Sequence, residues 1–248
     1  MDSLVDRIER AGLQCWPGLE VEWDGSWARR ASGGYTHRAN SVQPFDPSDD
    51  ADLDRRIEEA ALWHRTRGLQ PVFRLTPQAP AKLRTALDVR GWTAADHSHV
   101  FAMPLDHHDP DSRVRLLSPL DSDFIRAQQR LQVYSDERTR RMSAVLAAIT
   151  VPAHGIVLFQ DGEPVASALM DIADGVVITG NVITHPEHRG KGFGLAMMRS
   201  GLAWAKAKGA TLAALNVAAD NTAGQALYRR LGYARRYDYE YRVLEGTP

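Results

Sequence analysis

The chain has 248 residues, which is enough for one large domain or two small ones with separate cores. Hydrophobic residues make up 44% and charged residues 25%, and the formal net charge of −1 lacks the basic excess typical of general nucleic-acid binding. The single cysteine, Cys15, excludes an intramolecular disulfide and a zinc site of several thiolates. No apolar run reaches membrane-spanning length, so we expect a cytoplasmic protein without nucleic-acid or membrane partners.

The first half of the chain predicts helices and strands in alternation. Its patterns indicate an amphipathic helix over 1–13, a two-strand hairpin over 23–44, a helix over 50–68, a strand over 71–77, a helix over 79–92 and a strand over 97–105. A segment rich in Pro, Asp and His follows at 103–119, and it predicts a domain boundary near residue 108. The two predicted domains are therefore 1–108 and 109–248.

The second half predicts an α/β fold whose sheet contains strands of both directions. The expected order is strand 114–117, helices 121–131 and 136–149, strands 155–159, 165–172 and 176–184, helix 195–209, strand 211–217, helix 221–233 and strand 234–243. The order of helix, glycine, aromatic residue and strand around Gly91-Trp92 recurs around Gly232-Tyr233. This recurrence predicts an internal duplication in which the first copy lacks the glycine-rich turn of the second.

That turn, HPEHRGKGFG at 185–194, joins a predicted apolar strand to a predicted helix. Gly190, Gly192 and Gly194 allow close backbone approach, while Arg189 and Lys191 add positive charge beside the unpaired amides of a helix start. The pattern predicts a phosphate or pyrophosphate site. A magnesium-holding phosphate loop would need Ser or Thr after Lys191. A dinucleotide fingerprint would need glycine or alanine where Leu195 stands, and an acidic residue in the right place downstream, so both alternatives fit poorly.

The spacing Arg189-x-x-Gly192-x-Gly194 resembles the acetyl-CoA loop of the GNAT superfamily of acyl-CoA N-acyltransferases. A second signature of that family follows as Asn221-x-x-Gly224-x-x-Leu227-Tyr228-x-x-x-Gly232-Tyr233, with glycine where members usually have alanine. The resemblance covers about residues 113–243 and implies a GNAT fold there. Residues 1–108 resemble the degenerate repeat of tandem members, an incomplete GNAT-like half that would complete the acceptor cleft.

The resemblance implies an N-acetyltransferase that moves an acetyl group directly from acetyl-CoA to a primary amine. Tyr228 is the candidate general acid, because a phenol with a pKa near 10 stays protonated at neutral pH and can donate to the leaving sulfur. The residues implied in acetyl-CoA binding are the strand end Val182, Ile183 and Thr184, the turn Arg189, Gly190, Lys191, Gly192, Phe193, Gly194 and Leu195, and the helix start Asn221.

The sequence leaves the general base, the acceptor and the oligomeric state open. Asn216 stands where some relatives have a glutamate base, and Asp171, His185, a water chain or the other half of the chain could serve instead. Asn216 favours a small-molecule acceptor, which the polar strand segment 36–41 could help to choose, over a protein lysine or N-terminus. A non-catalytic acyl-CoA sensor and a homodimer are further alternatives. No metal is expected, because the histidines His97 and His99 lack clear further ligands.

Overall fold

A computed structural model describes residues 3–244, and these form a mixed α/β fold around one eleven-stranded sheet. The helices are α1 Leu4–Cys15, α2 Leu53–Arg65, α3 Ala81–Val89, α4 Ser122–Gln132, α5 Asp136–Ala147, α6 Phe193–Ala207 and α7 Thr222–Arg230. The strands are β1 Glu20–Asp24, β2 Trp27–Ala31, β3 Val42–Pro44, β4 Val72–Leu75, β5 Thr93–Pro104, β6 Val114–Leu117, β7 Ala153–Gln160, β8 Glu163–Ala173, β9 Val176–Thr184, β10 Leu212–Ala218 and β11 Ala234–Val243. The predicted mixed sheet is confirmed.

The two halves of the chain contribute to one continuous sheet and exchange their last strands. The strand order is β1-β2-β3-β4-β11-β5-β10-β9-β8-β7-β6, so β5 pairs with β10 and β11 pairs with β4. Strands β5 and β11 also pair with each other, antiparallel, at the centre of the sheet. The division at residue 108 stays a prediction; the peptide segment there joins β5 to β6.

Helices cover both faces of the sheet, because its strands carry apolar side chains on both faces. One face packs against α6 and α7 through Phe101, Met170 and Leu215, which belong to the largest buried cluster. The alternate residues of the same strands, such as Val100 and Ile178, pack on the opposite face with α1. Helix α1 belongs to the first half but contacts β8 and β9 of the second half. No helix among residues 3–244 is both long and apolar enough to cross a lipid bilayer.

The predicted hairpin at 23–44 is wrong in detail, since this region forms three strands and a turn. Residues 36–41 are not a strand segment: His37–Ala39 form a single 3-10 turn between β2 and β3. The Asn40 side chain holds the loop, because its Oδ1 accepts from the Ser32 and Gly34 amides at 2.6 and 3.0 Å and its Nδ2 donates to the Tyr35 and Thr36 carbonyls. Asn side chains compete with strand pairing in this way.

Candidate functional site

Strands β9 and β10 pair at one end only and then diverge. Their parallel register runs from Val176 opposite Leu212 to Thr179 opposite Leu215. Beyond this point β9 stays paired with β8 as far as Thr184, whereas β10 stays paired with β5 as far as Ala218. The gap between the two strands leaves the backbone of residues 180–184 able to pair with a ligand on the side that faces β10.

A β-bulge shapes the diverging end of β9. The β8–β9 register shifts between the pair Leu169–Gly180 and the pair Ser167–Ile183, and Asn181 there has a φ of 52°. The buried Gln128 of α4 fixes the bulge, since its Nε2 donates to the Asn181 carbonyl at 3.0 Å and to the Ser167 hydroxyl at 2.9 Å. Bulges re-aim the residues that follow them. Sequence reasoning missed this bulge, although Gly180-Asn181 inside an apolar strand is a signal for one.

The glycine turn follows β9 and ends at the start of α6. Gly190 and Gly192 have φ values of 74° and 81°, which glycine adopts without steric cost. The first intrahelical hydrogen bond of α6 runs from Ala196 N–H to Gly192 C=O at 3.0 Å, so the amides of residues 193–195 have no partner within the helix. A Cβ on Gly194 would lie 3.0 Å from Thr184 Oγ1, which explains glycine at that position.

Helix α7 faces the glycine turn from the other side of the gap. Asn221 caps the helix, because its Oδ1 accepts from the Gly224 amide at 2.9 Å. A Cβ on residue 224 would lie 2.8 Å from Asn221 Nδ2, so the glycine that departs from the family pattern accommodates this orientation of the Asn221 amide. Tyr228 is 5% exposed, and burial raises the pKa of its phenol to about 12.

The diverging strands, the glycine turn and α7 enclose an open cleft of about 460 Å³. This volume lies within the ordinary range for small-molecule sites. Its lining includes most of the residues that the sequence singled out: Val182, Ile183, Thr184, Arg189, Gly190, Gly192, Phe193, Gly194, Leu195, Asn221 and Tyr228. Lys191 is exposed on the turn itself. Sequence reasoning missed four further lining residues, of which Ala223 and Ala226 are apolar and His188 and Arg230 carry polar side chains, since a single His or Arg in an exposed segment carries no distinctive pattern.

The residues considered as bases lie in different places. Asp171 is 2% exposed and sits on β8, where burial raises the pKa of its carboxyl well above the usual range despite the nearby Arg38. His185 Nδ1 accepts from the Glu187 amide at 3.3 Å beside the glycine turn. Asn216 lies on β10 at the divergence and lines a small cavity on the face opposite α6 and α7. These positions do not single out a base.

One group of side chains outside the cleft brings metal-ligating atoms together. Atoms of His97, His99 and Asp238 lie within 4.8 Å of one another. Both oxygens of Asp238 already have partners, because Oδ1 is 2.8 Å from His99 Nδ1 and Arg235 binds the carboxylate through Nε at 2.7 Å and also through its terminal nitrogen. The arrangement is an ion-pair cluster as it stands, and we assign no metal to it.

Comparison with known proteins gives consistent matches over almost the whole chain. A family model described as "Probable histone acetyltransferase Rv0428c C-terminal" matches residues 3–242. The uncharacterized N-acetyltransferase YobR of Bacillus subtilis is 26% identical over 247 residues, covering 96% of this chain and 98% of the relative. The probable histone acetyltransferase Rv0428c of Mycobacterium tuberculosis is 27% identical, covering 96% and 74%. A GCN5-related N-acetyltransferase from Kribbella flavida has the same fold, with a TM-score of 0.72, 21% identity and coverage of 99% and 97%.

Proposed function

The chain belongs to the family of the C-terminal region of the probable histone acetyltransferase Rv0428c and is a GNAT-type acetyltransferase, and we propose that it transfers an acetyl group directly from acetyl-CoA to the primary amine of a small molecule. The observation that supports the proposal is the cleft at the divergence of β9 and β10, which is lined both by the start of α6, with its unpaired amides, and by the buried phenol of Tyr228.

In this proposal each part of the cleft binds one part of acetyl-CoA. The amides of residues 193–195, with Arg189 and Lys191, bind the pyrophosphate. The unpaired edge of residues 182–184 hydrogen-bonds to the pantetheine arm, and a backbone N–H at Ile183 or Thr184 donates to the thioester oxygen. Such a donor stabilises the oxyanion that forms when the amine attacks.

Tyr228 then supplies the proton that the departing thiolate needs. The amine nitrogen forms a bond to the thioester carbon, the carbon–sulfur bond breaks, and the phenol proton moves to the sulfur. The nitrogen gives up a proton to water as the amide forms, and the phenolate of Tyr228 takes up a proton from water, so amide and free thiol are the products. A pKa of about 12 keeps this phenol protonated at neutral pH, which suits a general acid. Asn216 cannot accept a proton from the amine, so another group or water must remove that proton before the amine attacks.

The face opposite the coenzyme cleft supports a small acceptor. Helix α1 and the turn that carries Arg38 cover the divergence there, and the cavity beside Asn216, at about 20 Å³, has room for about one water molecule, so any acceptor has to displace side chains on this face. A folded protein substrate would have to displace one of these segments. A second candidate, acetylation of protein lysines, is favoured by the name of the Mycobacterium tuberculosis relative.

We also propose that residues 1–108 form a coenzyme-free repeat of the GNAT-like half. The elements β1, β2, β3, α2, β4, α3 and β5 follow the same order as β7, β8, β9, α6, β10, α7 and β11. In both sets the first three strands pair antiparallel and the third and fourth pair parallel. The start of α2 carries Asp49, Asp50 and Asp52 where α6 carries the glycine turn, and carboxylates there would repel a pyrophosphate.

The test is release of CoA from acetyl-CoA by the full chain, followed with a thiol reagent, in the presence of short amines, amino acids, polyamines and a histone-tail peptide. We expect release that depends on a small amine, with mass spectrometry showing one acetyl group gained by that amine. Acetylation of the peptide alone would favour the protein substrate. Tight acetyl-CoA binding without release for any acceptor would favour a sensor. A calorimetric stoichiometry of two acetyl-CoA per chain would contradict the coenzyme-free repeat.

A further inference from the structure

We propose that Arg38 binds a carboxylate on the acceptor, so that the preferred acceptor is a short amine with a carboxylate at its other end. This inference rests on the proposed acetyl transfer and adds the chemical class of the acceptor. Its starting point is the position of Arg38 against the diverging strands, on the face of the sheet opposite the coenzyme cleft.

The guanidinium of Arg38 lies directly beside β9 at the divergence. A Cβ built on Gly180 would be 3.4 Å from Arg38 Nη2, so the absence of a side chain at residue 180 lets the guanidinium approach the strand. The ring of Trp16 lies beneath it, with 4.7 Å between the Arg38 Cζ atom and the ring centroid. The flat face of the guanidinium therefore packs on the Trp16 ring, which leaves the N–H donors at its edge available.

Within residues 3–244, Arg38 makes no ion pair and no side-chain hydrogen bond, which is unusual for a half-buried arginine. The buried carboxyl of Asp171 interacts electrostatically with Arg38 but makes no hydrogen bond to it, and burial raises the pKa of that carboxyl well above the usual range. His37 and Asp96, beside the same turn, pair with each other at 2.8 Å. Among residues 3–244, no carboxylate is therefore bonded to this guanidinium at the acceptor face.

The cavity beside Arg38 has an excess of positive charge. Its charged lining consists of Arg30, Arg38, Arg74 and Glu9. Glu9 pairs with Arg74, so two arginines remain without a carboxylate. Burial, together with Arg74, lowers the pKa of Arg30 to about 10, which reflects the same excess. This charge would favour an anion that binds at the half-buried Arg38 beside the cavity, whose own volume of about 20 Å³ holds only about one water molecule, and a planar carboxylate matches the two-pronged geometry of a guanidinium.

The distance along β9 sets the length of such an acceptor. Gly180 lies three residues before Ile183, which the proposed function places beside the thioester. Because of the bulge at Asn181, these three residues oppose only two residues of β8, Leu169 to Ser167, so the strand advances roughly 7 Å between them. After allowing for one charge-assisted hydrogen bond and one attacking distance, only a short chain fits between amine and carboxylate. Asn216 lines the same cavity and offers an amide along this path.

The experiment uses two stable conjugates in which CoA sulfur is joined through a –CH2–C(O)– group to the nitrogen of 4-aminobutanoate or of butylamine. Both are titrated into the full chain, alongside acetyl-CoA, for wild type, Arg38→Gln and Arg65→Gln. Arg65 is an exposed arginine of α2 without an ion pair among the described residues, and its variant is the matched control. We expect wild type and Arg65→Gln to bind the carboxylated conjugate about 10-fold or more tightly than the butylamine conjugate.

Arg38→Gln should bring the two conjugates to equal affinity while it retains acetyl-CoA binding, which shows that the variant is folded. Equal affinities in wild type, or a preference that survives in Arg38→Gln, would overturn the inference and leave the acetyl-transfer proposal intact. Failure of wild type to bind acetyl-CoA or either conjugate would instead reject the proposed function on which the inference rests.

Discussion

Tyr228→Phe removes one hydroxyl from the cleft and leaves the rest of the side chain in place. The phenol is 5% exposed, lines the cleft and makes no side-chain hydrogen bond with residues 3–244, so its loss should change the free energy of unfolding by less than about 0.5 kcal/mol. A general acid contributes about 10²–10⁴-fold to rate. We therefore expect kcat to fall about 100-fold, equivalent to ~2.7 kcal/mol of transition-state stabilisation, with an unchanged KM for acetyl-CoA.

The assay is steady-state release of CoA, and Tyr233→Phe is the matched control. Tyr233 is a buried neighbour whose ring centroid lies 6.1 Å from that of Tyr228, but it belongs to the hydrophobic core rather than to the cleft lining. The control variant should keep a kcat within about threefold of wild type. A kcat for Tyr228→Phe that stays within threefold of wild type, or equal losses in both variants, would refute the role of Tyr228 as general acid.

Three further predictions concern stability. Burial raises the pKa of Asp171, so the free energy of unfolding should fall as pH rises above the unfolded pKa near 3.9 and the carboxyl ionises. Asp171→Asn should reduce this fall when the free energy of unfolding is measured by chemical denaturation at a series of pH values. The same dependence on pH in wild type and Asp171→Asn would contradict this. Burial opposes ionisation of Glu9, but Arg74, Tyr237 and Gln43 together outweigh it and lower the pKa of Glu9. The ionised Glu9 therefore stabilises the fold above the unfolded pKa, and this contribution is lost as pH falls. Glu9→Gln should cost about 3–5 kcal/mol at pH 7 and lower the melting temperature by several degrees; a loss below 1 kcal/mol contradicts this. Gly155→Ala would place a Cβ 2.3 Å from the Phe124 ring and should cost about 1–3 kcal/mol in the same assay; unaltered stability contradicts it.

Local patterns in the sequence predicted the parts of the site that depend on local geometry. The alternating glycines and the following apolar periodicity place the turn and α6 correctly, since a helix start depends on a few adjacent residues. The Asn221 cap and the start of α7 follow from the same kind of signal. These two helix starts face each other in the structure because β9 and β10, which precede them, are neighbours and parallel.

The features that were missed depend on contacts between distant parts of the chain. The insertion of β5 between β10 and β11 is a choice among strand partners that periodicity does not specify. The bulge at Asn181 depends on Gln128, more than fifty residues away, and the conformation of residues 36–41 depends on which backbone groups the Asn40 side chain reaches. The position of Arg38 against Gly180 follows from both, so no local pattern could have shown it.

The most direct test of the coenzyme site is calorimetric titration of acetyl-CoA, with ATP and NADH as controls, into wild type, Gly192→Asp and Gly68→Asp. Gly192 and Gly68 have φ values of 81° and 66° and open space where a Cβ would lie, so both variants introduce similar backbone strain and the same charge. We predict acetyl-CoA binding by wild type and by Gly68→Asp, loss of that binding in Gly192→Asp, and no binding of ATP or NADH at the same concentrations. Absence of acetyl-CoA binding by wild type, or undiminished binding by Gly192→Asp, would contradict the assignment of residues 185–195 as the pyrophosphate site.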